Sequence, residues 1–208
     1  MKEIYLVRHG QTGYNQKGIV QGRGIDTTLN SVGIKQAEAF YQSYKDIPFD
    51  KIYTSSLQRT RQSVIRFIED GIPFESLPGL DEISWGISEG LEYSANNNTR
   101  YYRTITEWNN GNITHKIEEG ESPIDVQRRQ KEAIDYILSK KDENVILVCM
   151  HGRAMRILLS WLTNNHLKDM DAFDHGNLCL YKLRYDGSDF SIDLYNDRAH
   201  LDHIDERS

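Results

Sequence analysis

Residues 144–150 read Asn-Val-Ile-Leu-Val-Cys-Met, and this run constrains the fold more than any other stretch of the chain. From Val145 on, its apolarity is unbroken. A strand with one wet face alternates apolar and polar side chains, so a continuous run belongs to a strand covered on both faces. The run therefore predicts a central strand in an α/β fold. That fold is a three-layer sandwich, with a mostly parallel central sheet flanked by helices.

The rest of the chain alternates accordingly. Lys2 to Val7 reads as a buried first strand, followed by a loop rich in glycine (Gly10, Gly13, Gly18, Gly22, Gly24). Ser31 to Lys45 carries apolar residues near a 3.6 period, with Asn30 or Ser31 as N-cap. Phe49 to Tyr53 is a second strand. Ser55 or Ser56 can cap a helix from about Leu57 to Glu69, ended by Gly71 and Pro73. Glu75 to Ile83 reads as extended and rich in turns. Ser94 to Asn109 reads as an inserted helical excursion. Ser122-Pro123 opens a helix reaching about Lys140, with Pro at its first position. Arg153 to Trp161 is another helix. Leu178 to Arg184 and Phe190 to Tyr195 form a hairpin across Asp186-Gly187.

Length and charge narrow the function classes. The 208 residues suit a single domain, with a helical cap segment inserted at about 87–121. The chain has 25 Lys+Arg against 31 Asp+Glu, a net charge of −6, which disfavours a general nucleic-acid partner. Positive charge that handles an anion must then be local. The longest strongly apolar run, Val145 to Met150, is far short of a membrane span, and the N-terminus has no secretory h-region. Two cysteines make neither a disulfide framework nor a zinc site. The expected location is the cytoplasm.

Three strand-to-helix junctions carry the chemistry. The first strand ends in Arg8-His9-Gly10, the second runs into Ser55-Ser56-Leu57-Gln58-Arg59, and the central strand ends in His151-Gly152-Arg153. If the strands are parallel, all three junctions share the carboxyl edge, where open α/β sheets bind ligands and helix N-termini favour anions. Two histidines and two or three arginines then face one anion-sized hollow. Arginine grips phosphate in a bidentate fork. A neutral imidazole can take a phosphoryl group covalently. A carboxylic acid opposite would supply the leaving group's proton.

The run Leu6-Val7-Arg8-His9-Gly10-Gln11-Thr12-Gly13-Tyr14-Asn15 resembles the signature of the histidine phosphatase superfamily, also called phosphoglycerate mutase-like. The resemblance continues through Gln21-Gly22 and through Asp26 to Gly33 with Gln36-Ala37. It returns at Ser55 to Arg59 and at Leu80-Asp81-Glu82 with Gly86 and Glu89-Gly90, and it closes at His151-Gly152. It implies that His9 is the nucleophile and that Arg8, Arg59 and His151 hold the phosphoryl group. Glu82 matches the proton donor. Asn15 contacts the same phosphate, and the backbone around Gln21, Gly22 and Gly152 lines the pocket. No metal and no cofactor is implied. Thr60 stands where a small Ala is usual, Gln11 replaces the commoner Glu, and Arg153 is a variant placed to touch a second anionic group.

The expected activity is hydrolysis of a small phosphomonoester, with a small-molecule substrate and a homodimer as the only partners anticipated. Phosphoglycerate mutase is the alternative, and a silent phospho-ligand binder a third. The Ile-Ser-Trp-Gly stretch after Glu82 resembles the phosphatase form. The Tyr101, Tyr102 and Trp108 cluster either covers the pocket or packs an inserted helix. Glu118 to Ser122 is either a solvated loop or a substrate-side element. His200 and His203 read as a solvated tail rather than a metal site.

Overall fold

The computed structural model describes residues 1–93 and 99–204. The strands are β1 (Lys2–Arg8), β2 (Lys51–Thr54), β3 (Phe74–Ser76), β4 (Val145–Met150), β5 (Leu180–Tyr185) and β6 (Phe190–Asp197). The α-helices are α1 (Gly13–Gln16), α2 (Ser31–Tyr44), α3 (Gln58–Ser63), α4 (Ile65–Glu69), α5 (Thr99–Asn109), α6 (Pro123–Ser139) and α7 (Gly152–Leu162).

The six strands form one sheet in the order β3-β2-β4-β1-β5-β6. Strands β3, β2, β4 and β1 are parallel, and β5 and β6 join as an antiparallel hairpin beside β1. The continuous run in β4 does what its apolarity predicts. Ile146, Val148 and Met150 enter one core with residues of α6 and α7. Leu147 and Cys149 enter the other, with Ala37 and Phe40 of α2 and Phe67 of α4. Burying a side chain such as Phe40 contributes roughly 1.5–3 kcal/mol, so each face of the strand is held independently.

Some local expectations change. The helix expected over 57–69 is two short helices, broken at Val64, whose φ of −121° and ψ of 15° leave the helical region. Neither Ser55 nor Ser56 is its N-cap. Leu57 occupies that position without a side-chain cap, while Ser56 is bound to the Asp81 carboxylate. The turn-rich stretch after Pro73 contains the edge strand β3, and β2 starts two residues after Phe49. Asn30, not Ser31, caps α2. Ser122 caps α6 in a reciprocal capping box with Asp125. The excursion expected from Ser94 appears as α5 from Thr99, and residues 94–98 lie outside the described residues. His200 is not solvated: it packs against Phe40 and Tyr44 and meets the Leu178 carbonyl at 2.9 Å.

Among the described residues, no helix is long and apolar enough to cross a membrane. No group of three His, Cys, Asp or Glu side chains there is placed to hold a metal ion.

Candidate active site

Because β1, β2 and β4 are parallel, Arg8-His9, Ser55 to Arg59 and His151-Gly152 converge at one sheet edge. The His9 amide donates to the Met150 carbonyl at 2.9 Å, extending the ladder one residue past β1. The chain then turns at Gly10, where a Cβ would lie 2.8 Å from the Gly33 carbonyl oxygen. That close approach of the loop to the first turn of α2 requires glycine.

A cavity of about 320 Å³ opens here. Its walls include Arg8, His9, Asn15, Gln21, Glu82 and Gly152 from the expected set. Arg59, His151 and Gly22 do not line it. Arg59 and His151 are fully buried, and the rings of His9 and His151 lie 5.1 Å apart. Arg59 Nε donates to His151 Nδ1 at 3.2 Å, and its terminal nitrogens donate to the carbonyls of Ile25 at 2.7 Å and Gly22 at 3.3 Å. With its amide oxygen assigned toward Arg59, Gln21 accepts from Arg59 Nε at 2.8 Å and donates to the Thr12 and Thr27 hydroxyls. His151 Nε2 meets Ser55 Oγ at 2.7 Å, and Ser55 Oγ meets Thr60 Oγ1 at 3.0 Å. Thr60, the departure from the small residue usual there, thus braces the serine that holds His151.

The histidines are neutral. His9 Nδ1 and the Gly10 carbonyl oxygen are 2.7 Å apart, so Nδ1 carries the proton and Nε2 keeps its lone pair. Burial pushes His9 well below its ordinary value, and the Arg59 and Arg8 charges push the same way. Burial and the same two arginines also depress His151. His175, at the cavity wall, is pushed down to about 2 by burial and by Arg8, Arg156 and Arg153. Arg8 donates to the His175 carbonyl at 2.6 Å, but its Nε is buried with no hydrogen-bond partner. A buried charged donor without an acceptor is costly, and it adds to the positive field at the cavity wall.

Glu82 is held by backbone. Its Oε1 accepts from the Ile83 and Ala154 amides at 2.9 and 2.8 Å, and its Oε2 accepts from the Arg153 amide at 3.1 Å. Two of these donors belong to the first turn of α7, whose orphan N–H groups favour a carboxylate. The segment carrying Glu82 is clamped from α6. Arg129 donates to the carbonyls of Gly79, Asp81 and Glu82, and it is fixed in turn by Glu121 at 3.0 Å. Glu121 also accepts from the Ser84 amide at 2.9 Å. The Gly-Glu-Ser stretch is therefore neither solvated loop nor pocket wall at Glu121; it buttresses the Glu82 loop from behind.

The cavity's remaining walls are Gly18, Trp85, Tyr93, Tyr101, Arg153, His175 and Asn177. Trp85, Tyr93 and Tyr101 form an aromatic cluster, with Tyr101 4.6 Å from Trp85 and 4.9 Å from Tyr93. Tyr101 of α5 therefore reaches the cavity, while Trp108 on the same helix is buried packing. Asn177 donates to the His9 carbonyl at 3.0 Å and to Asn15 Oδ1 at 3.3 Å. Sequence reading passes over Tyr93, His175 and Asn177 as cavity residues. The signal for the last two was the hairpin: an antiparallel strand beside β1 begins where β1 ends, so the residues before β5 arrive at the active edge.

Comparison with known proteins points the same way. Residues 4–198 match the family described as the histidine phosphatase superfamily (branch 1). The chain is 30% identical to a Yersinia enterocolitica protein named "Probable phosphoglycerate mutase GpmB", over 97% of this chain and 96% of that one. Its fold resembles that of Bacillus stearothermophilus YhfR, with a TM-score of 0.86, 22% identity, and 97% and 100% of the two chains covered. It also resembles the α-ribazole phosphatase from Shigella flexneri, with a TM-score of 0.82, 22% identity, and 94% and 96% covered. A mycobacterial glucosyl-3-phosphoglycerate phosphatase gives a TM-score of 0.83 at 22% identity, with 95% and 100% covered.

Proposed function

The chain belongs to the histidine phosphatase superfamily (branch 1), a superfamily of phosphatases and mutases, and from that premise we propose that it hydrolyses a small phosphomonoester through a phosphohistidine on His9. One observation carries this reading: the His9 ring is pinned with Nδ1 2.7 Å from the Gly10 carbonyl oxygen, which leaves Nε2 as the nitrogen for attack, in a cavity that Arg8 and Glu82 also line.

The reaction runs in two steps. The Nε2 lone pair attacks phosphorus while the ester P–O bond breaks. The departing alkoxide takes a proton from the Glu82 carboxyl group, leaving a carboxylate held by three backbone N–H groups. Water then attacks phosphorus, Glu82 takes the water's proton, and the P–N bond breaks to return the lone pair to Nε2. Arg8 binds the phosphoryl oxygens where charge gathers. Arg59 lies behind His151; burial lowers it to about 10, which leaves it cationic, and it supports the anion through the field of its charge. No step calls for a metal or an organic cofactor. We place the reaction in the cytoplasm, acting on a metabolite rather than on a nucleic acid or membrane.

The second reading is a phosphoglycerate mutase, favoured by the name of the Yersinia relative. It shares the first half-reaction and returns the phosphoryl group to a second hydroxyl instead of to water. Phosphate release from a panel of phosphomonoesters, without added metal, separates the readings. Release by the wild type that vanishes in His9→Ala is the expected result. Interconversion of 2- and 3-phosphoglycerate without phosphate release would give the mutase its place.

A further inference from the structure

Resting on the phosphomonoesterase reading, we infer that the group esterified to the phosphate is an uncharged ring, and that the Arg153–Asp171 pair enforces this. Among the described residues, two arginines line the cavity, Arg8 and Arg153. Arg8 sits beside the nucleophile and serves the phosphoryl end. Arg153 is where a second anionic group of the substrate, such as a carboxylate, would have to bind.

Arg153 is already committed. Its terminal nitrogen lies 2.5 Å from Asp171 Oδ1, and the same oxygen takes Arg156 at 2.6 Å. The guanidinium also lies 5.6 Å from the centre of the Trp108 ring and hydrogen-bonds Tyr101. Its side chain is only 8% exposed. A substrate carboxylate reaching it would have to compete with the Asp171 carboxylate already seated on the same guanidinium. That competition carries a desolvation cost and like-charge repulsion with Asp171.

One side of the wall is aromatic. Trp85, Tyr93 and Tyr101 present faces and edges suited to the apolar face of a ring. Tyr101 links the two devices, since it both lines the cavity and holds Arg153. A ring-bearing, uncharged alcohol therefore uses what the cavity offers, and a carboxylated alcohol does not.

The test uses a matched pair of probes, phenyl phosphate and 4-carboxyphenyl phosphate, which differ by one remote carboxylate. Wild-type kcat/KM should favour phenyl phosphate by about tenfold or more, the scale of one uncompensated charge at a partly buried site. Asp171→Asn frees Arg153 and should shift the ratio toward the carboxylated probe by about tenfold. Equal use of both probes by the wild type, or a ratio unmoved by Asp171→Asn in a protein that melts like the wild type, would overturn the inference. Calorimetric titration of both probes into His9→Gln reads the cavity without turnover. A preserved preference in binding with no hydrolysis by the wild type sinks the hydrolase reading and keeps this one. Hydrolysis with no preference in either measurement does the reverse.

Discussion

Arg129 donates from one guanidinium nitrogen to the backbone carbonyl of Glu82 at 3.0 Å, so the loop bearing the candidate proton donor is tied to a helix that never reaches the cavity. The same side chain holds the carbonyls of Gly79 and Asp81. Arg129→Met should lower stability by about 2–4 kcal/mol, through lost charged hydrogen bonds to three carbonyls and to Glu121. It should also lower kcat on alkyl phosphates by about 10²-fold, the usual consequence of a misplacement near 1 Å. Denaturant unfolding and steady-state kinetics check both. A kcat equal to wild type would show that the clamp does not position Glu82.

Glu82→Gln preserves the shape of the side chain and removes its proton. Turnover of alkyl phosphates should fall by about 10²–10⁴-fold. Nitrophenyl phosphate, whose leaving group needs little protonation, should lose far less. Equal losses on the two substrates would remove Glu82 from the role of acid.

Three histidines, His9 and His151 buried and His175 half-buried, give stability a pH dependence whose sign follows from their direction. His9, His151 and His175 are all depressed below 6.5, His175 to about 2. Above pH 6.5 neither the folded nor the unfolded chain protonates them, and they add no slope. Below it the unfolded chain binds protons that the folded chain refuses, so stability falls as pH falls. Each histidine contributes up to about 1.4 kcal/mol per pH unit in that window. Urea midpoints should drop between pH 6.5 and pH 5, above the carboxylate range, and His175→Gln should make the slope shallower. A midpoint constant over this range would contradict the burial of these rings.

Gly22 allows the loop behind Arg59 to close against Glu89. A Cβ there would lie 2.0 Å from Glu89 Oε1 and 2.7 Å from the Ile83 carbonyl. Gly22→Ala should therefore cost about 1–3 kcal/mol, as other overpacked sites do. Because the Gly22 carbonyl accepts from Arg59, it should also weaken inorganic phosphate as a competitive inhibitor. Thermal melting and inhibition constants measure the two effects. An unchanged melting temperature would mean that Glu89 yields easily.

The layer order was legible in residues 144–150, because continuous apolarity over a strand leaves no wet face. The active edge was legible in Arg8-His9-Gly10 and His151-Gly152, because a parallel sheet sends every strand's carboxyl end to one side. Those are local and topological facts, carried by residue type and order. The pairing of Phe74–Ser76 with β2 and the half-buried place of His200 against Phe40 depend on neighbours distant in the chain, and no local pattern encodes them.

What the sequence by itself determined is the set of chemical groups and the sheet edge that gathers them: two histidines, two arginines and a carboxylate in order along the chain. Only the tertiary structure decided how they divide. It put His9, Arg8 and Glu82 at the cavity and set Arg59 and His151 beneath it. It brought in His175 and Asn177 through an antiparallel strand, and it paired Arg153 with Asp171. The physical reason is that a side chain's identity sets what it can donate or accept. Which partner it meets, and whether water reaches it, depends on packing between segments that the local sequence does not relate.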